Sequence, residues 1–266
     1  MRGWDYLVAT LARAVRNDTF SLRPLDWMGL TDDNVMLLFQ SEDGKTTLTE
    51  PGVRASLIRD IGSVMSGEGW TSLRDLYRLS CQKALSGGNA FFVSLERFRA
   101  YRDPVRKKSL YLVALLQACC HWAFLDAPEL PAPVDYHEVR GHLRLGTVCV
   151  HSQELLRKIR EYLPVTDEED VAIRSAVQQA ISRIADCLGS ADATTLHYLF
   201  WNLFRNVCRR TTPQCTEVRD ISSLPERYRY LVELGGPSVC PFLNVCSAYH
   251  MSQFPVEHLN GGTIWY

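Results

Sequence analysis

Residues 131–148 read PAPVDYHEVRGHLRLGTV. Pro131 and Pro133 set the approach of the chain to a single carboxylate, Asp135, at the mouth of a short predicted helix that carries three basic side chains. The plainest reading is a helix cap, since an Asp oxygen accepts the unpaired amide hydrogens of a first helical turn. The other reading is a carboxylate placed for chemistry, and the rest of the sequence has to choose between them.

Around this stretch the hydrophobic period is helical nearly everywhere. Trp4, Leu7, Val8, Leu11 and Val15 form one stripe, and Val53, Leu57, Ile58, Ile61 and Val64 form another. Further helices are predicted over 71–84, 90–101, 108–124, 152–163, 167–188 and 193–208, the one at 167 opened by a Thr166/Glu169 capping box. Strand-like alternation is almost absent. Breaks fall at LSGGN, residues 85–89, and at the proline-rich DAPELPAP, residues 126–133. The expected fold is all-α, with two helical lobes and a cleft between them.

With 266 residues and 46% hydrophobic content, the chain is long enough for one large core or two modest ones. No apolar run reaches bilayer length and the N-terminus lacks a secretory cleavage motif, so the expected setting is cytoplasmic, or nuclear in a nucleated cell, with no membrane partner. A net charge of -1, from 29 basic and 30 acidic residues, means that nucleic-acid binding has to rest on a local patch.

The nine cysteines fall into two groups. Cys81, Cys119, Cys120, Cys149 and Cys187 lie in apolar helical stretches and read as small hydrophobes. Cys208, Cys215, Cys240 and Cys246 stand among prolines and polar residues, in CRRTTPQC and CPFLNVC, and read as metal ligands. Upstream of the proline-rich break, Arg106, Lys107 and Lys108 precede a helix with Leu112, Leu115, Leu116 and Cys119 on one face. A lysine at that position meets the positive end of the helix dipole and neighbouring cations, which disfavour its protonation and favour nucleophilic use. A solvated basic turn touching phosphate is the simpler alternative.

PVDYHEVRGHLRLG resembles the signature of the helix-hairpin-helix DNA glycosylases, with Val134, Asp135, His137, Arg140, Arg144, Leu145 and Gly146 fitting the pattern. The resemblance implies that Asp135 is the catalytic carboxylate and that Lys108, followed by Ser109, is the Schiff-base lysine of members that also cleave the strand. It covers residues 100–150 and 195–246. Members with a 4Fe-4S cluster place cysteines with six, two and five intervening residues. Here the first and last spacings match, whereas 24 residues separate Cys215 from Cys240. Closing the longer loop costs roughly 2 kcal/mol, at about 0.6 kcal/mol per doubling, which ligation offsets. The family's hairpin glycines are missing from AYRDPVRKK, a departure shared with the archaeal 8-oxoguanine glycosylase branch.

The implied protein is a monomeric base-excision glycosylase with AP-lyase activity, acting on double-stranded DNA that carries a damaged or modified base. Its implied domains are a helical barrel with the hairpin, 30–130, and a helical domain with the four-cysteine cluster, 1–29 and 131–266. Arg102, Arg106 and Lys107 are expected to hold the DNA backbone, and His197 and Trp201 to meet the flipped base. Cys208, Cys215, Cys240 and Cys246 are expected to hold the cluster, with Zn as the alternative. Two other functions compete: a noncatalytic Zn-stabilised nucleic-acid-binding protein, and a glycosylase of free modified nucleosides.

Overall fold

The computed structural model describes residues 4–41, 44, 49–216, 226, 229, 240–251 and 255–265. The protein is all-α: among the described residues the only β pairing is a single parallel bridge between Pro164 and Leu259. No helix of the described residues is long and apolar enough to cross a membrane.

The chain forms two compact units, Met1–Arg102 with Ala123–Asp126, and Asp103–Trp122 with Ala127–Tyr266. Residues 1–29 therefore cluster with the helices that follow them, and the helix after the RKK turn clusters with the C-terminal residues. This division differs from the expected boundary of 30–130.

The first unit holds α1 (Trp4–Arg16), α2 (Pro24–Trp27), α3 (Asp32–Leu38), α4 (Pro51–Gly67), α5 (Leu73–Leu79) and α6 (Phe91–Leu95). The Tyr6 hydroxyl and the Arg13 guanidinium donate to the carbonyls of Phe39 and Gln40, which fastens α1 to the end of α3. A Cβ on Gly62 would stand 2.6 Å from the Pro24 carbonyl, so only glycine lets α2 lie this close to α4. The predicted helix over 71–84 stops early because Cys81 and Gln82 both take positive φ. Beyond them the Asp126 carboxylate accepts amide hydrogens from Ala84 at 2.7 Å and Leu85 at 2.8 Å, holding the chain out of a helix.

The second unit holds α7 (Lys107–Cys120), α8 (Tyr136–Leu145), α9 (Gln153–Glu161), α10 (Asp167–Leu188) and α11 (Ala193–Asn206). Its core joins Val134, Val139 and Leu143 to Ile173, Val177 and Ile181 of α10 and to Phe200, Leu203 and Phe204 of α11. A Cβ on Gly141 would fall 2.2 Å from the Phe204 ring, so this glycine sets how closely α8 and α11 pack. The expected capping box of α10 is present: Thr166 Oγ1 accepts the Glu169 amide and Glu169 accepts that of Thr166.

Helix α10 also carries a stripe of polar groups at Asp170, Arg174 and Gln178, four residues apart and therefore on one face. Arg174 donates to both oxygens of Asp103, at 2.8 and 2.9 Å, and to Asp170 Oδ2 at 2.6 and 2.9 Å. The other Asp170 oxygen meets His258 Nε2 at 2.6 Å. Asp103 also accepts the backbone amides of Val105 and Lys107, so the anchored carboxylate shapes the turn that begins α7. At that turn Arg106 takes φ 58, the left-handed conformation that glycine supplies most easily.

All of Arg174, Asp103, Asp170 and His258 are buried. Removing one partner of such a set leaves the others charged and dry, which costs about 3–5 kcal/mol. Arg174→Ala is expected to lower the unfolding free energy by that amount in urea denaturation. A loss below about 1 kcal/mol, as for an exposed pair, would contradict this account.

Candidate active site

Asp135 caps α8. Its Oδ1 accepts the His137 amide at 2.7 Å, and Glu138 reaches back to accept the Asp135 amide at 3.1 Å. The capping reading is therefore correct, and the His137 bond falls on Oδ1. Oδ2 accepts from the Trp201 indole Nε1 at 2.8 Å. Tyr136, the next residue, is 41% exposed and its ring lies 4.1 Å from that of His137. Burial pushes the Tyr136 phenol up, and the Asp135 carboxylate adds to it. Burial also holds the His137 imidazole down, at about 4.

Lys108 lies in the first turn of α7, as expected, and its ammonium donates to the Ile264 carbonyl. The side chain of Gln178 relates the two helix starts. Its amide nitrogen meets the carbonyls of Val105, at 3.3 Å, and Ala132, at 2.8 Å. Those carbonyls stand three residues before Lys108 and three residues before Asp135. One amide therefore holds together the two chain segments that lead to the candidate amine and the candidate carboxylate.

The other expected contacts are placed less simply. His197 is buried, with Nδ1 2.7 Å from Glu138 Oε1, so it sits in the core and not on a base-facing surface. Burial pushes the Glu138 carboxyl up, with His197 opposing. The indole N–H of Trp201 is committed to Asp135, and the Arg205 guanidinium lies 4.7 Å over its ring, which occupies a face expected to stack on a base. The Arg102 guanidinium bends back onto the carbonyls of Glu96 and Arg97 in the first unit. Lys107 lies over the Tyr111 ring at 5.3 Å, and Arg106 is half-buried at the turn.

The basic residues of the motif are internal supports. Arg140 is fully committed, to Glu257 at 2.9 Å, the Phe204 and Cys208 carbonyls at 2.9 Å, and His137 Nδ1 at 2.8 Å. Arg144 donates to the carbonyls of Pro255, Arg209 and Arg210, each at 2.7 Å, and lies 3.3 Å from Cys208 Sγ. Gly146 has φ 82 and a Cβ there would strike the Ser247 hydroxyl at 2.4 Å. Apart from the contact between Arg140 and His137, three residues apart, none of these roles was visible in the sequence, because each partner lies far along the chain.

Cys208, Cys215, Cys240 and Cys246 line one cavity, together with Arg144, Phe204 and Phe242. Burial raises the Cys240 thiol to about 12, and the other three sulfurs add to the effect. Cys215 is also raised, first by burial and then by Cys208 and Cys246. Four cysteines in a largely apolar pocket are the donor set that a cationic metal centre stabilises as thiolates. Among the described residues, no three of His, Cys, Asp or Glu are gathered as ligands of one ion. Residues 217–225, 227–228 and 230–239 of the long segment between Cys215 and Cys240 lie outside the described residues. The five other cysteines are exposed, contrary to their reading as small core hydrophobes.

No model of a known protein family matches the chain, and no curated protein matches it.

With any metal removed under reducing conditions, Cys240 is expected to resist alkylation at pH 8 and to become reactive only as the pH approaches 12. The exposed Cys119 and Cys120 are expected to react first. Mass spectrometry of timed alkylation checks the order, and equal reactivity of Cys240 with the exposed pair would contradict the buried cavity.

Proposed function

We propose that the protein is a DNA glycosylase with AP-lyase activity, using Lys108 as nucleophile and Asp135 as the catalytic carboxylate. The observation that supports this most is the Gln178 amide, which ties together the segments leading to both residues. The all-α fold and the motif at 133–146 agree with it. A base within a duplex is inaccessible, so the damaged nucleotide is turned out of the stack before reaction.

The Lys108 amine donates its electron pair to C1′ of that nucleotide, and the glycosidic C–N bond breaks with its electrons leaving on the base, which takes up a proton. Asp135 stabilises the oxocarbenium-like charge during this step, and the proton lost by the attacking amine is the one the departing base takes up. Ring opening yields an imine between Lys108 and C1′. Loss of a proton from C2′ then expels the 3′ phosphate, and water releases the lysine. Arg106 and Lys107, at the turn before α7, supply cationic contacts for the phosphate backbone.

Cys208, Cys215, Cys240 and Cys246 would hold a 4Fe-4S cluster. The four-thiol donor set fits it, and the centre would supply a structural cross-link between the loop after α11 and the C-terminal segment. Arg144 fixes the loop that follows Cys208 through three backbone carbonyls, and so keeps the first ligand in place.

Borohydride reduction on duplexes carrying different lesions tests the proposal. A covalent adduct is expected with the wild-type protein, none with Lys108→Ala, and base release reduced by about 100- to 10,000-fold in Asp135→Asn. Undiminished trapping by Lys108→Ala would overturn the assignment of the nucleophile. A colourless protein containing Zn, with DNA binding but no base release, would support a noncatalytic binding protein instead.

A further inference from the structure

Helix α11 meets α8 through two side chains one turn apart. His197 contacts Glu138 Oε1, and Trp201 contacts Asp135 Oδ2. Glu138 in turn accepts the backbone amide of Asp135. The four residues make a closed circuit: Asp135 amide to Glu138, Glu138 to His197, one turn of α11 to Trp201, and the indole back to the Asp135 carboxylate. Asp135, Glu138 and His197 are each at least nine-tenths buried.

The two ends of this circuit do different work on Asp135. The capping bonds, from the His137 amide to Oδ1 and from the Asp135 amide to Glu138, fix its backbone and one oxygen, as they would for any capping residue. They leave the second oxygen to be aimed by something else. In this protein a neutral N–H donor does so, from a ring whose own face is covered by Arg205 and which is therefore set in place.

We infer that Trp201 is a positioning residue for base excision: its indole N–H holds the second oxygen of Asp135, fixing the carboxylate plane, while the base is recognised elsewhere. The inference rests on the glycosylase reading proposed above. It also replaces the stacking role expected for Trp201 from its place in an aromatic helix. Because Trp201 acts through Asp135, it matters where glycosidic bond cleavage demands a stabilised cation. At a preformed abasic site that bond is already broken, and imine formation depends on Lys108.

Trp201→Phe keeps the aromatic ring and removes the donor. Its single-turnover base excision is expected to fall by about 10- to 100-fold, the loss of one hydrogen bond to a charged group. Its affinity for lesion duplex, and its borohydride trapping at a preformed abasic site, should stay within about threefold of wild type, the range of a surface-level change. Trp201→His offers a rescue, since the imidazole overlays the five-membered ring of indole and puts Nε2–H where Nε1–H stands. It should recover part of the excision rate lost in Trp201→Phe.

Excision by Trp201→Phe equal to wild type would overturn the role while leaving the glycosylase reading intact. An equal fall in excision and abasic trapping, with no rescue by histidine, would also overturn it, because damage to the fold alone has that signature. A wild-type protein inert on every lesion duplex and abasic site would overturn the glycosylase reading itself, and the role with it.

Discussion

A guanidinium buried between two carboxylates survives only if its hydrogen bonds are nearly complete, because each ion has lost several kcal/mol of hydration. Arg174 meets that requirement with donors to Asp103 and Asp170, and the arrangement dictates much of the second unit. Asp103 cannot leave Arg174 without stranding a charge, so the turn it shapes, and the start of α7 with Lys108, are held against α10. Asp170 extends the same constraint to His258 in the C-terminal segment. One turn further along, Gln178 gathers the segments before Lys108 and Asp135 with a neutral amide. A single face of one helix thus organises the parts from which the proposed chemistry is assembled.

Helix α8 performs the complementary task. Gly141 admits the Phe204 ring, which brings α11 close enough for Trp201 and His197 to reach the carboxylates of Asp135 and Glu138. On the same helix Arg140 and Arg144, one turn apart, saturate the carbonyls around Cys208. The motif at 133–146 is therefore mostly a device for joining helices and shaping a cysteine loop. Of its side chains, Asp135 alone is proposed to act on the reacting atoms.

What could be read in the sequence follows from which interactions are local. The span of α10 and its Thr166 cap were legible because periodicity and capping involve residues within one or two turns. The start of α7 and the N-terminus of α8 were legible for the same reason. Helix α3 was missed because its capping box closes with Asn34, whose shorter side chain is outside the usual Glu or Gln pattern. The stripe at Asp170, Arg174 and Gln178 reads as a solvated face until its partners are known, and Asp103 and His258 lie 71 and 88 residues away from the groups they bind. His197 was likewise read from its aromatic neighbours, whereas its environment is set by Glu138, 59 residues earlier. The four cysteines expected as metal ligands could be picked out by flanking residues and spacing, and their meeting in one cavity is tertiary information.

The central claim is that α10 brings the amine of Lys108 and the carboxylate of Asp135 to one reacting carbon. The most direct measurement is a crystal structure of the borohydride-reduced protein–DNA adduct. The account predicts a bond from Lys108 Nζ to C1′ of the opened sugar, the Asp135 carboxylate beside that carbon, and Gln178 still joining the Val105 and Ala132 carbonyls. An adduct on a different amine, or Asp135 turned away from the sugar behind packed side chains, would contradict it.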